Sequence, residues 1–234
     1  MKKNNQSHGD KREQKERILM AIKSRRTKQY FAGASFMLFL VGGWFYPLIG
    51  FFIPTCMIAG VSLATMRGRK WCDWMCPRGS FADAYLKLIS PQRTIPHSLR
   101  SLPVRIGILS FLMLMLGYQV IRLWPDPYAI GRFLMILLSV TTVIGVILTL
   151  FIHQRTWCYI CPIGSLASLV GKNKEKLHMK GDACVVCNLC EKTCPMDLKP
   201  QELKVKKEMA FRGDCLKCGL CVKTCGKDAL SYPL

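Results

Sequence analysis

Acidic side chains are scarce in this chain of 234 residues: 14 Asp and Glu stand against 34 Lys and Arg, a formal charge of +20. In a soluble protein such an excess suggests nucleic acid. Charge is itself missing from long stretches, however, and none occurs over the 38 positions from Gln29 to Met66. That is about twice the roughly 20 residues of one membrane span, so the basic excess reads as the flanks of membrane helices, with no nucleic acid as partner. Histidine is limited to His8, His97, His153 and His178. Only His153 lies near an apolar stretch and no Cys-x2-Cys-His occurs, which excludes haem. There is no Gly-rich nucleotide fingerprint, nucleophile motif or mononuclear catalytic metal motif, so a terminal catalyst is expected on another subunit. The segment before Gln29 has no apolar run long enough for a cleavable signal. Nor is there a soluble output domain of the kind a redox-sensing regulator needs.

What is there is apolar residues in blocks. Gly42, Gly43, Pro47 and Gly50 interrupt the Gln29–Met66 stretch, which predicts two short helices, about Tyr30 to Phe45 and about Phe51 to Met66, joined by a tight turn. A third span is expected from about Val104 to Leu123 and a fourth from about Phe133 to His153, separated by Trp124-Pro125-Asp126-Pro127. Of the Lys and Arg residues ten lie before Gln29, eight between Arg67 and Arg105 and fourteen from Arg155 on, leaving only Arg122 and Arg132 for the other side. This asymmetry predicts a multi-pass protein of the inner (cytoplasmic) membrane with both termini in the cytoplasm. Residues 1–28 form a basic cytoplasmic tail, within which Arg17 to Lys28 could lie on anionic lipid through Ile18, Leu19, Met20 and Ile22. The membrane domain covers 29–170 and a C-terminal domain 171–234, beginning at the polar linker Gly171-Lys172-Asn173-Lys174. Between the second and third spans, Ala82 to Ile89 is expected to be an amphipathic helix ended by Ser90-Pro91.

Eight cysteines fall in two runs: Cys184, Cys187, Cys190, Cys194, then Cys215, Cys218, Cys221, Cys225. Each has the spacing Cys-x2-Cys-x2-Cys-x3-Cys, in which three thiolates wrap one cubane cluster and the fourth serves its neighbour. The expected ligand sets are crossed: Cys184, Cys187, Cys190 and Cys225 on one 4Fe-4S cluster, Cys215, Cys218, Cys221 and Cys194 on the other. Structural zinc takes two short pairs set apart by a longer loop, and disulfides are rare inside cells. The runs align, Cys-Glu-Lys-Thr-Cys with Cys-Val-Lys-Thr-Cys, and the segment resembles a bacterial ferredoxin with two four-iron clusters. It departs from that pattern at Gly226, which stands where proline usually follows the fourth cysteine.

A second repeat lies at the ends of the predicted helices. Trp71-Cys72-Asp73-Trp74-Met75-Cys76-Pro77-Arg78-Gly79-Ser80 is matched by Trp157-Cys158-Tyr159-Ile160-Cys161-Pro162-Ile163-Gly164-Ser165. Each follows an even-numbered span, so two helices and a Cys-Pro motif form a unit that occurs twice in parallel. Paired Cys-Pro motifs of this kind followed by a ferredoxin segment resemble the membrane-bound iron–sulfur family of the NapH type, over about Gln29 to Gly226. That family includes quinol dehydrogenase components and is related to membrane domains of nitrous oxide reduction regulators and oxidase-assembly proteins. Cys158 and Cys161 depart from its motif, with a spacer of two residues where Cys72 and Cys76 have three.

The resemblance implies a four-helix membrane domain in two tandem repeats with a C-terminal α+β ferredoxin-like domain. It also implies electron transfer between the quinone pool and a separate redox enzyme or carrier. The four motif cysteines have three candidate uses: a further metal centre, a redox-active dithiol, or a quinol contact. Basic neighbours Arg69, Lys70, Arg78 and Arg155 would ease their ionisation. Trp71, Trp74 and Trp157 are expected as interfacial anchors, with Trp71, Trp157 and His153 as candidate quinol contacts. The competing function is a redox assembly or metal-reducing factor for maturation of a respiratory metalloenzyme.

Overall fold

The computed structural model describes residues 2–206, 209 and 212–232, with side chains within them for Glu16, Leu19, Met20 and from Ile22 onward. The first helix, α1 (Lys2–Phe45), runs without a break from the basic end into the apolar stretch and stops one residue before Tyr46-Pro47. Nothing between the basic segment and Tyr30 breaks a helix, so the expected tail is helical and continuous with the first apolar stretch. Leu19 and Met20 are exposed on it; the side chains of Arg17 and Ile18 lie outside the described residues. A 3-10 turn over Pro47–Phe51 leads into α2 (Phe52–Arg67).

After α2 come a short turn, α3 (Trp71–Trp74) and α4 (Pro77–Phe81), the last continued by one π-helical turn over Ala82–Leu86. This replaces the expected amphipathic helix; Leu88 and Ile89 remain exposed beyond it. Next are α5 (His97–Arg100), α6 (Leu102–Arg122) and α7 (Pro127–Phe151). Proline opens α7 and Asp126 caps it, its carboxylate accepting from the amides of Tyr128 and Ala129 at 2.9 and 3.3 Å, which satisfies two of the donors a helix start leaves over. Then α8 (Trp157–Ile160) and α9 (Pro162–Val170) repeat the α3–α4 arrangement.

Among the described residues, three helical stretches are long and apolar enough to cross a membrane: Pro47–Leu86, Leu102–Arg122 and Pro127–Phe151. The other expected span, Tyr30 to Phe45, is the end of α1 and falls short of the roughly 20 apolar residues of a full crossing.

The C-terminal segment contains β1 (His178–Met179), α10 (Leu189–Lys192), α11 (Leu220–Thr224) and β2 (Leu230–Ser231). The strands pair antiparallel, His178 with Ser231 and Met179 with Leu230, and so tie the two ends of the segment together. Its duplication is exact at the backbone. Val186 and Lys217, Asn188 and Gly219, and Asp197 and Asp228 hold equivalent places in the two runs, and all six have positive φ.

Candidate functional site

Each short helix of the Cys-Pro repeat is built the same way. Cys76 and Cys161 sit extended at the N-caps of α4 and α9, and the following proline takes the first helical position, where its missing N–H costs nothing. Ser80 and Ser165, at the motif ends, donate back to the carbonyls of Trp74 (2.8 Å) and Tyr159 (3.1 Å). The unequal spacers are absorbed in one turn: the amide of Cys76 bonds to the carbonyl of Trp71, that of Cys161 to Trp157, both at 2.9 Å.

Two arginines cross between the repeats. Arg69 and Arg155 each stand three residues before the first cysteine of a motif, and both are buried. Arg69 Nη2 donates to the carbonyl of Cys158 at 2.7 Å, and Arg155 Nη1 to the carbonyl of Cys72 at 2.6 Å. The motif glycines make room for them. A Cβ on Gly79 would lie 2.8 Å from Arg155 Nη1, and one on Gly164 2.8 Å from Arg69 Nη2.

Carboxylates hold both guanidinium groups. Arg155 forks onto Asp83 at 2.8 and 2.7 Å, and Asp83 also receives Arg25 (2.9 Å) and Gln29 (2.8 Å) from α1. Arg69 pairs with Asp214 at 2.8 Å, and Arg105 of α6 reaches the same carboxylate at 2.9 Å. Asp214 is the residue before Cys215, so this buried triad fastens the second cysteine run to α6 and to the turn after α2.

The result is one pocket that brings Cys72, Cys76, Cys158 and Cys161 together, with Arg69, Arg78 and Trp157 among its walls; it measures about 610 Å³ out to its mouth. Arg78 lies over the Trp157 ring at 4.2 Å and donates to Thr141 Oγ1 at 3.2 Å. Arg155 Nη1 stands 3.7 Å from Cys158 Sγ. Two buried donors of this wall, Arg69 Nε and Trp157 Nε1, have no hydrogen-bond partner among the described residues.

A second pocket is lined by Cys194, Cys215, Cys218 and Cys221 with Met196, Leu198 and Leu216, and a third by Cys184, Cys187, Cys190 and Cys225 with Gly226. Each therefore gathers three cysteines of one run and the last of the other. Among the described residues no cysteine is in a disulfide, and no three His, Cys, Asp or Glu side chains close on a point as ligands of a single ion would. A cubane spreads its ligands over four corners, a different geometry. Burial pushes the thiols of Cys194 and Cys218 up to about 11 and about 12, so their thiolate state depends on a nearby cation such as iron.

Between the first two pockets lies one apolar cluster containing Cys72, Tyr159, Met196, Leu198 and Leu216, with Trp71, Cys158, Cys194, Cys215 and Cys218 packed against it. Tyr159 is its fully buried centre. Its phenol, held protonated by burial, donates to the carbonyl of Met196 at 2.6 Å. Trp71 thus belongs to this core and Trp157 to the first pocket, while Trp74 is partly exposed under Lys28. His153 is buried away from the pocket walls. Its Nδ1 accepts the Arg155 amide at 3.2 Å, and burial pushes its pKa down to about 4, leaving a neutral imidazole that fixes the backbone turn before α8.

Sequence reasoning missed the crossing arginines, Asp83 and Asp214. The available signal was the repeat itself, since Arg69 and Arg155 occupy the same place in both motifs, as do Gly79 and Gly164. The sequence suggests the basic residues as aids to thiol ionisation; in the structure the main partners of Arg69 and Arg155 are carbonyls and carboxylates.

Residues 49–96 and 134–180 each match the family described as 4Fe-4S binding domain, and 183–230 match the 4Fe-4S dicluster domain. Each of the first two stretches contains one Cys-Pro motif, and the third contains both cysteine runs. The chain is 30% identical over 183 residues to uncharacterized protein MJ0749 of Methanocaldococcus jannaschii, covering 70% of either chain. It is 25% identical to YccM of Escherichia coli (strain K12), named for electron transport, over 63% of this chain and 47% of that one. It is 26% identical to the methylamine utilization ferredoxin-type protein MauN of Methylobacillus flagellatus, over 61% of this chain and 53% of MauN. The chain thus spans about half the length of the last two. No solved structure matches it. The chain belongs to one family with MJ0749 and is an iron–sulfur protein built on 4Fe-4S binding domains.

Proposed function

We propose that this is a four-span protein of the cytoplasmic membrane, with both termini in the cytoplasm, that passes electrons between the quinone pool and a separate redox enzyme or carrier. Residues 1–28 are its basic cytoplasmic end, 29–170 its membrane part and 171–234 a ferredoxin-like domain. The observation that carries this reading is that three pockets of four cysteines each lie in one molecule, two of them joined by the buried core around Tyr159. The names of YccM and MauN point the same way. The charge distribution supports four spans, because the basic residues before Gln29 and those between Arg67 and Arg105 share a side only if Tyr30 to Phe45 crosses.

The donor sets fit iron–sulfur clusters. Cys184, Cys187, Cys190 and Cys225 would hold one 4Fe-4S cluster, Cys194, Cys215, Cys218 and Cys221 a second, and Cys72, Cys76, Cys158 and Cys161 a third shared between the repeats. Four thiolates on a cubane carry net negative charge, which suits a pocket containing Arg69 and Arg78 and the unpartnered donors Arg69 Nε and Trp157 Nε1. Bound clusters supply one-electron exchange. The chain's own part is to hold the thiolates, exclude water and fix hydrogen bonds to sulfur, which set potentials. Phe81, Leu86, Val146 and Ile163 give the first pocket an apolar wall of the kind a quinol ring requires. A metal- or thiol-reducing factor would need a cysteine pair open to its substrate, whereas Cys72 is 6% exposed.

Anaerobic electron paramagnetic resonance on the detergent-purified protein, before and after adding a reduced quinol, tests the reading. Cluster signals should appear with quinol. Signals that appear only with a much stronger reductant would remove the quinone pool as donor.

A further inference from the structure

The duplication of the ferredoxin segment places three equivalent residues beside the cysteines of each run, and the fold treats the two sets in opposite ways. In the second run Leu216, Lys217 and Leu220 are buried, at 2%, 6% and 8% exposure. The membrane part helps cover them: Lys217 packs over Gly68, and Leu216 joins the cluster of Cys72 and Tyr159. The equivalent residues of the first run are Val185, Val186 and Leu189, exposed at 62%, 47% and 47%. They line the third pocket beside Cys187, the exposed cysteine among the thirteen.

An apolar face around a redox-type pocket, bare where its internal twin is covered, is incomplete as it stands. Its rim is basic. Lys227 lines the pocket and Lys204 Nζ donates to the carbonyl of Cys184 at 2.7 Å. Lys192 ends α10, and Lys180 bonds through its amide to the carbonyl of the lining residue Ala229. All four lysines are exposed, against the exposed acids Asp182 and Asp228.

We infer that the Val185–Val186–Leu189 face is the docking surface for an electron-transfer protein that presents an apolar centre within an acidic rim. The inference rests on the electron-transfer reading above and assigns the place where the partner binds. The buried Leu216 face belongs to the membrane side of the relay, and the open Val185 face is the side left for a second protein. Complementary charge at such a rim speeds encounter and makes it salt-dependent, while the apolar centre holds the complex.

The test is photo-crosslinking in native membranes with p-benzoylphenylalanine in place of Val185 in the full chain, and at the exposed linker residue Lys172 as control. The expected result is an adduct at position 185, absent from the control, with a redox protein of acidic surface. It should fall severalfold when Lys192→Glu, Lys204→Glu and Lys227→Glu are combined and when ionic strength is raised. An adduct with lipid, with a second copy of this chain or with a protein of basic surface would overturn the inference, as would none above the control. Quinol-dependent cluster signals recorded on the same membranes keep the outcomes apart: their presence without an adduct removes the docking face and leaves electron transfer standing.

Discussion

Changing Asp214 to alanine is expected to destabilise the protein by about 3–5 kcal/mol, the cost of removing one partner from a buried ion pair. Asp214 is 1% exposed and lies between the guanidinium groups of Arg69 and Arg105. Without it two positive charges remain buried against each other, and the second cysteine run loses its attachment to the membrane part. Thermal unfolding of the detergent-solubilised protein checks the magnitude, and trypsin cleavage at the Gly171–Lys174 linker checks the detachment. The triple change Asp214→Leu, Arg69→Met, Arg105→Met should recover part of the stability, because an apolar set can replace a buried charge cluster at little cost. An unchanged melting temperature for Asp214→Ala would mean that the triad does not hold the two parts together.

The second large effect is expected at Arg155. Its guanidinium forks onto Asp83 and donates to the carbonyls of Cys72 and Asp73, so Arg155→Met strips a buried carboxylate of its main partner and takes a donor from both carbonyls, of which that of Asp73 keeps Gln29 at 3.1 Å. A loss of about 3–5 kcal/mol is expected here too. Arg155→Lys keeps the charge but cannot reproduce a planar fork with two further donors, and it should recover less than half of the loss. Iron content per chain, measured beside the melting curve, should fall in both variants as the first pocket loses the link between its halves. A lysine variant with wild-type stability and iron content would reduce Arg155 to a point charge.

Much of the fold was legible because it is local. Apolar block length and the punctuation by Pro47 and Trp124-Pro125-Asp126-Pro127 located the helices, and cysteine spacing marked the two runs whose members line the second and third pockets. The tandem Cys-Pro repeat predicted that Cys72, Cys76, Cys158 and Cys161 would meet, and one pocket contains all four. The continuity of α1 was not legible, since a solvated basic segment and a helix have the same composition. Nor were the Asp214 triad and the reach of Arg69 and Arg155 across the repeats: these pairings join residues far apart in sequence, and neither periodicity nor charge counting reports on them. His153 was visible as an ionisable residue at a helix end. Its place beneath the Arg155 amide, with no share in the pocket wall, is a tertiary fact.

The proposed function rests on three four-cysteine pockets, each with one proposed cluster. It is tested most directly by iron and acid-labile sulfide analysis with Mössbauer spectroscopy on anaerobically purified protein, unsubstituted and as Cys72→Ser/Cys158→Ser. The account predicts about twelve iron atoms per chain, all in cubane-type spectra, falling to about eight in the double variant. About eight in both proteins would contradict it, and would leave the pocket between the repeats without a cluster.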